Sequence, residues 1–298
     1  MAITAPCPNC KRDVAVAFDL SSGSKFLPCP CGETVQYIEP NFAVQPEFLF
    51  KYRPHDNYSQ SWILKEELFF ASPAMFNDPF DSKVFYSLEG TLEQKAESLV
   101  QWDQELNRGI GRERLYHAIR EAEKDGFWDR FYNGHIGRIQ ELIDASHGIV
   151  SLSGKPDDLL MFAYYAKDHT GYCLKYRRSA ENILSMAQPI KYEEKYPVFS
   201  AFGPDSTNLG RLGDKVLFTK AKCWKHEDEW RIGLTGFDAR LVKSPHPILE
   251  GIIFGCNMKS KERSGIVDLN NRRTKPVALF ETRKMKFEFA LEIVPLKL

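Results

Sequence analysis

Cys223-Trp224-Lys225-His226-Glu227-Asp228-Glu229-Trp230-Arg231-Ile232 is the stretch on which the reading of this chain turns. Trp230 to Leu234 has the character of a strand, and Glu227 and Glu229 stand at its entrance, two residues apart. Alternate residues of a strand share a face, so both carboxylates are expected to project the same way. Two acids aimed into one site between two tryptophans are costly unless something positive binds there. The plainer reading is a solvated, charged turn ahead of a strand, and the rest of the chain has to decide between the two.

Around this stretch the second half of the chain reads as strands. They are expected at Gly148–Ser153, Gly171–Tyr176, Pro189–Tyr192, Val216–Thr219, Ile248–Gly255, Val277–Glu281 and Phe287–Val294, with a helix over Asp158–Lys167. Gly203–Gly213 reads as a loop, and Asp238–Arg240 and Lys259–Ser264 as minor connections. Upstream, Phe48–Pro54 reads as a short strand stopped by proline, Trp62–Leu68 as a brief helix and Leu68–Ser72 as a strand. The strand leads into the turn-rich loop Pro73–Asp81. From Leu92 to Ser146 the pattern is helical: Trp128, Phe131, Tyr132, His135, Ile139, Leu142 and Ile143 recur at three- and four-residue steps. Many short strands with few helices predict an α+β domain with a mixed or antiparallel core over 46–298, carrying a helical insertion at about 91–147.

The N-terminal segment is separate in character. Cys7 and Cys10 form C-x2-C, and after an eighteen-residue gap Cys29 and Cys31 form C-x-C. Four thiolates presented from two tight turns suit tetrahedral zinc. Asp13–Leu27 reads as two short strands around Ser21-Ser22-Gly23-Ser24, and Val35–Ile38 as a third. The segment 1–42 is therefore expected to be a zinc ribbon with a structural Zn2+, because so short a chain has little core of its own. A disulfide framework is the weaker alternative, since the start of the chain lacks the basic and apolar regions of an export signal. The expected location is cytoplasmic, with no membrane partner. Lys11, Arg12 and Lys25 are too few for strong phosphate binding. The formal net charge is zero, so no global field steers the chain to nucleic acid.

Several further motifs stand in order along the chain: Lys51-Tyr52-Arg53-Pro54, Asn77-Asp78-Pro79-Phe80-Asp81, Ser151-Leu152-Ser153, Tyr164-Tyr165-Ala166 with His169-Thr170-Gly171, and Trp224-x-x-Glu227-x-Glu229-Trp230-Arg231. Together they resemble a widespread bacterial family of unassigned function over most of residues 50–255. The order Arg53, Ser151-x-Ser153, Glu227-x-Glu229 is also similar to the Arg, Ser-Thr-Ser, Glu-x-Glu signature of one class of ADP-ribosyltransferases. That resemblance implies an ADP-ribosyltransferase-like fold and an enzyme that cleaves the nicotinamide–ribose bond of NAD, as a transferase or a glycohydrolase. It also implies a toxin or phage-defence effector.

The resemblance assigns roles. Glu229 matches the essential second glutamate, and Glu227 would orient or activate the acceptor. Arg53 would fork onto the pyrophosphate, as a guanidinium does better than an ammonium. Ser151 would steady Glu229 or the ribose, with Ser153 beside it on the same strand face. Tyr52 or Tyr165 would stack on nicotinamide, and Asn77 would wall the cofactor pocket. Cleavage passes through an oxocarbenium-like state, which a carboxylate facing the developing charge stabilises more than the ground state. Two departures stand out: Leu152 replaces the Thr of the serine motif, and Thr219–His226 carries Lys220, Lys222, Trp224 and Lys225 in place of an acceptor-recognition loop. The acceptor is open among protein, nucleic acid, small molecule and water. Two other readings compete. One is a nuclease-like enzyme guided by the ribbon, with Asp78, Asp81, Glu227 and Glu229 as metal-binding acids. The other is a non-catalytic zinc-ribbon adaptor.

Overall fold

The computed structural model describes residues 3–6, 13–16, 25–28, 31, 34–37, 46–87, 89–105, 109–122, 127–179, 182–200, 202, 215–236, 240–244 and 246–297. In chain order the elements are β1 (Ile3–Pro6), β2 (Asp13–Val16), β3 (Lys25–Pro28), β4 (Thr34–Tyr37), β5 (Phe48–Arg53), β6 (Glu67–Phe70), β7 (Phe85–Ser87), α1 (Leu92–Glu105), α2 (Arg112–Ala122), α3 (Phe127–Ser146) and β8 (His147–Ser153). They continue as α4 (Leu159–Tyr165), β9 (Tyr172–Arg177), β10 (Gln188–Pro189), β11 (Lys191–Glu193), β12 (Val198–Ser200), β13 (Thr219–Ala221) and β14 (Glu229–Thr235). The last are β15 (Arg240–Lys243), β16 (Leu249–Phe254), α5 (Ser260–Asn271), β17 (Ala278–Lys284) and β18 (Leu291–Pro295). The chain divides into two compact units, Met1–Met75 with Ser146–Ile190 and Cys223–Leu298, and Phe76–Ala145 with Lys191–Lys222.

The first unit is an α+β assembly on an eight-stranded sheet in the order β10-β14-β8-β5-β9-β16-β17-β18. Every neighbouring pair is antiparallel except β16 and β17, which are joined by α5. Strand alternation sorts the side chains into two cores. Leu49, Val150, Leu152, Tyr172, Leu174, Trp230, Ile232, Ile252 and Phe254 pack on one face with Trp62 of a five-residue π-helical turn and with Ile266 of α5. Phe50, Tyr52, Cys173 and Ile253 pack on the other, against Met161 and Phe162 of α4. Asp158 starts α4 as its N-cap, accepting from the backbone N–H groups of Leu160 and Met161.

The sheet has one weak seam. β5 and β8 pair only at Phe50 and Ser153, while β8 and β14 pair over seven positions. A strand that loses its neighbour leaves carbonyls to be satisfied by other donors, and the Lys51 ammonium donates to the Ser151 carbonyl at 2.5 Å.

The N-terminal strands form two antiparallel hairpins, β1 with β2 and β3 with β4. This corrects the expected hairpin across Ser21–Ser24: β2 and β3 pair backwards and forwards respectively, not with each other. Cys7 and Cys10 fall in the chain between β1 and β2, and Cys29 and Cys31 between β3 and β4. Cys7, Cys10 and Cys29 lie outside the described residues, as does the segment Pro40–Pro46, which reads as a linker, up to residue 45; Cys31 is exposed.

The second unit holds α1, α2 and α3 together with two parallel strand pairs, β7 with β12 and β11 with β13. Gln140 of α3 is tied to the loop ahead of β7, donating to the Ser82 carbonyl and accepting from the Val84 N–H. The helical block expected over Leu92–Ser146 is three helices among the described residues, the last beginning just after the expected break at Asp125-Gly126. The side chains of Trp128, Phe131, Tyr132 and His135 lie outside the described set.

Candidate functional site

The two glutamates are buried, so the solvated-turn reading fails. Glu227 is 2% exposed and Glu229 is 4% exposed. They are not related by strand alternation, as had been expected. Glu227 ends a 3-10 turn that begins at Lys222, Asp228 has left-handed geometry with φ of 44°, and only Glu229 belongs to β14. A non-glycine residue in that conformation is uncommon.

Each carboxylate has a defined partner. The Arg231 guanidinium, 1% exposed and two residues along the same strand, forks onto Glu229 with Nε–Oε1 of 2.6 Å and Nη2–Oε2 of 3.0 Å. The Tyr165 hydroxyl donates to Glu227 Oε1 at 2.7 Å. The cross-strand register sets Ser153 opposite Glu229 and Ser151 opposite Arg231. Both serines therefore share the face of the acid–arginine pair. The Ser153 hydroxyl donates to the Glu227 carbonyl at 2.7 Å and so fixes the turn that carries Glu227.

A half-buried lysine in the β5–β8 seam lies within electrostatic reach of both carboxylates. Burial, then the neighbouring Arg53 guanidinium, push the Lys51 ammonium down to about 8, against the opposing pull of Glu229 and Glu227. Between pH 8 and its unfolded value the folded protein holds fewer protons on Lys51 than the unfolded chain, so stability rises with pH across that window. From pH 7.5 to 9.5 the wild type should gain about 2 kcal/mol relative to Lys51→Met. Urea denaturation of both proteins at the two pH values measures this, and a gap that stays constant would show that Lys51 titrates normally.

Other predicted residues are placed elsewhere. The Arg53 guanidinium pairs with Asp56 and Trp62 and not with Glu229. Arg53 and Lys51 leave β5 on the side opposite to Phe50, and it is only in the splayed β5–β8 seam that the Lys51 ammonium comes within electrostatic reach of Arg53, Glu229 and Glu227. The Arg53 guanidinium lies 4.4 Å from the Trp62 ring and 3.5 Å from Asp56. Tyr52 is 4% exposed, edge-on to Phe162, with its hydroxyl donating to the Lys155 carbonyl. It is a core residue with no ring face open for stacking. Asn77 is exposed in the second unit, beside Asp78, whose carboxylate accepts from the Phe80 N–H in an Asx turn. Among the described residues no group of three or more His, Cys, Asp or Glu side chains is arranged to hold a metal ion.

Sequence reasoning missed two parts of the site. One is Lys51, and the other is an aromatic rim beside the Glu227 turn. Tyr164 is 60% exposed, and its ring centroid lies 6.5 Å from those of both Trp224 and His226. Because Tyr164 and Tyr165 are consecutive on α4, one builds the rim while the other holds Glu227. No helix among the described residues is long and apolar enough to cross a membrane. Comparison of the chain with protein-family models, with curated proteins and with solved structures finds no match.

Proposed function

We propose that this chain is an ADP-ribosyltransferase-like enzyme that cleaves the nicotinamide–ribose bond of NAD at the Glu227–Glu229 pair. The observation that carries the reading is the burial of both carboxylates in one cluster with Lys51, Arg231, Tyr165 and the two serines. Fixed charges shielded from water stabilise a developing cation more strongly than solvated ones do. Glu229 supplies the negative field for the oxocarbenium-like state, and Glu227, oriented by the Tyr165 hydroxyl, places the acceptor. The exposed Tyr164 ring and the half-buried Trp224 ring beside it supply the stacking surface in place of Tyr52. Arg53 has no part in this version, so the pyrophosphate contact assigned to it is withdrawn.

A second reading is favoured by one specific feature. Both oxygens of Glu229 are engaged by Arg231, and the pair is almost fully enclosed. That is how an ion pair built into a core looks, and it suits a non-catalytic adaptor carrying an N-terminal ribbon with structural Zn2+ on Cys7, Cys10, Cys29 and Cys31. One experiment separates the two. The purified chain is incubated with NAD and cell extract, and free nicotinamide and ADP-ribosylated products are measured by mass spectrometry. Nicotinamide release above the protein-free control supports the enzyme. Absence of release, together with no shift of the melting temperature by NAD, supports the adaptor.

A further inference from the structure

The β17–β18 hairpin closes with Lys284 level with Leu291 and with the Met285 N–H donating to the Ala290 carbonyl at 3.0 Å. Lys286, Phe287, Glu288 and Phe289 make the loop beyond that pair. Both aromatic rings stand clear of the rest of the chain. Phe287 is 95% exposed, Phe289 is fully exposed, and Met285 beside them is 40% exposed. Phe287 also has a positive φ of 71°. Such a turn position suits glycine or asparagine, and for a bulky side chain it is a true outlier. The loop thus carries two large apolar rings that gain no burial within this chain, one of them at a backbone cost. Strain of this kind gathers where a segment meets a ligand or partner, and neighbouring exposed apolar groups mark the surface that a partner covers.

The charges around the loop narrow the kind of partner. Strand register sets Tyr172 beside Phe254 and Phe254 beside Glu281. The turn before β9, the turn from β16 into α5 and the hairpin therefore lie at one end of the sheet. Each carries exposed lysines: Lys167 in the first, Lys259 and Lys261 in the second, Lys284 and Lys286 in the third. The acids there are Asp168, Glu288 and the half-buried Glu262. Arg283 is already held by Glu281 at 2.7 Å. The chain as a whole has a formal net charge of zero, so this excess of ammonium groups is a local field, and it favours an anionic surface.

An apolar tip within a collar of lysines is suited to the headgroup region of an anionic bilayer. The rings exchange water for acyl chains, and the lysine stems lie along apolar surface while their ammonium groups reach the phosphates. A specific protein partner takes about 800 Å² from each side, far more than a loop of this length offers. No helix among the described residues is long and apolar enough to cross a membrane, but binding at the interface requires none.

We propose that the β17–β18 tip is a membrane-contact site that inserts Phe287 and Phe289 into the surface of an anionic bilayer, with Lys284 and Lys286 on the headgroups. It replaces the expectation that the chain has no membrane partner, and it does not depend on NAD cleavage. The test is flotation of the full chain with vesicles of phosphatidylcholine alone and with vesicles carrying about 30% phosphatidylserine. The anionic vesicles should bind the chain at least about tenfold more strongly, and about 0.5 M NaCl should remove most of that preference. Phe287→Ala combined with Phe289→Ala should weaken binding to the anionic vesicles by about tenfold or more. Lys284→Glu combined with Lys286→Glu should weaken it by a similar factor, about tenfold. All four side chains are exposed, so the melting temperature should not move in either variant. Phe289→Trp should add tryptophan emission that brominated lipid quenches beyond the wild-type level. Glu229→Gln should bind as the wild type does. Absence of binding to the anionic vesicles would overturn the proposal and leave the tip to a protein partner. Binding that survives the double alanine change, or no added quenching at position 289, would overturn it as well.

Discussion

Replacing Arg231 with methionine is expected to cost the fold about 3–5 kcal/mol, the usual penalty for removing one partner of a buried ion pair. The guanidinium is 1% exposed and takes both oxygens of a carboxylate that is itself 4% exposed. Its removal leaves Glu229 without its fork in a region that also holds Glu227, and neither acid can turn to water. The loss is therefore a desolvation cost more than the loss of a favourable bond. The companion variant makes the argument testable. Arg231→Met combined with Glu229→Leu removes both charges, and apolar replacement of a whole buried pair is often close to neutral. The double variant should thus recover at least about half of the loss. Urea denaturation followed by near-ultraviolet circular dichroism gives both numbers. A single-variant loss below about 1 kcal/mol would mean that water reaches Glu229.

Parts of this architecture were legible in the sequence because they follow from local pattern. β8, β9 and β14 are bounded by turn residues and carry the alternation that a two-faced sheet imposes, and they were expected within a residue or so of where they lie. α5 was missed. It opens with the polar run Ser260-Lys261-Glu262-Arg263 and has no side-chain cap at Lys259, so its apolar face shows only from Ile266 onward. β15 was missed as a four-residue strand between charged residues, given order by pairing with β6. The expected strand at Val216–Thr219 is instead a short helical turn followed by β13. The aromatic alternation at Phe287 and Phe289 looked like strand but belongs to the exposed hairpin tip ahead of β18.

The site was legible as a set of residue types but not as a geometry. Which face Arg53 takes relative to Glu229 depends on the register of β5 against β8, and a shift of one residue inverts the answer. Nothing local to Lys51-Tyr52-Arg53 fixes that register. Lys51 itself was passed over because a lysine on a strand reads as a solvent contact. Its half-buried place depends on the β5–β8 seam, which only the assembled sheet contains. Asp228 likewise separates the two glutamates by a left-handed residue that spacing alone does not disclose.

If the carboxylate pair is catalytic, Glu229→Gln should lower nicotinamide release by at least about a hundredfold, the scale of removing one preorganised charge from a reacting centre. Glutamine keeps the shape and one acceptor oxygen for Arg231, but it removes the negative field that faces the oxocarbenium. The effect should therefore fall on kcat and not on KM, because the field matters in the transition state and hardly at all in the bound ground state. Glu227→Gln should behave differently. Its carboxylate is held by Tyr165 and is assigned to the acceptor, so nicotinamide release should persist within about tenfold while transfer to an acceptor falls away and free ADP-ribose accumulates. Tyr165→Phe, which removes one hydrogen bond to Glu227 Oε1 without touching its charge, should shift the same balance in the same direction by a smaller amount. Melting temperature, measured beside each rate, separates chemistry from folding. A Glu229→Gln protein that melts as the wild type does and turns over NAD as fast would remove Glu229 from the reaction. Equal losses of release in both glutamine variants would mean that the two acids act as one charged unit and that the division of labour between them is wrong.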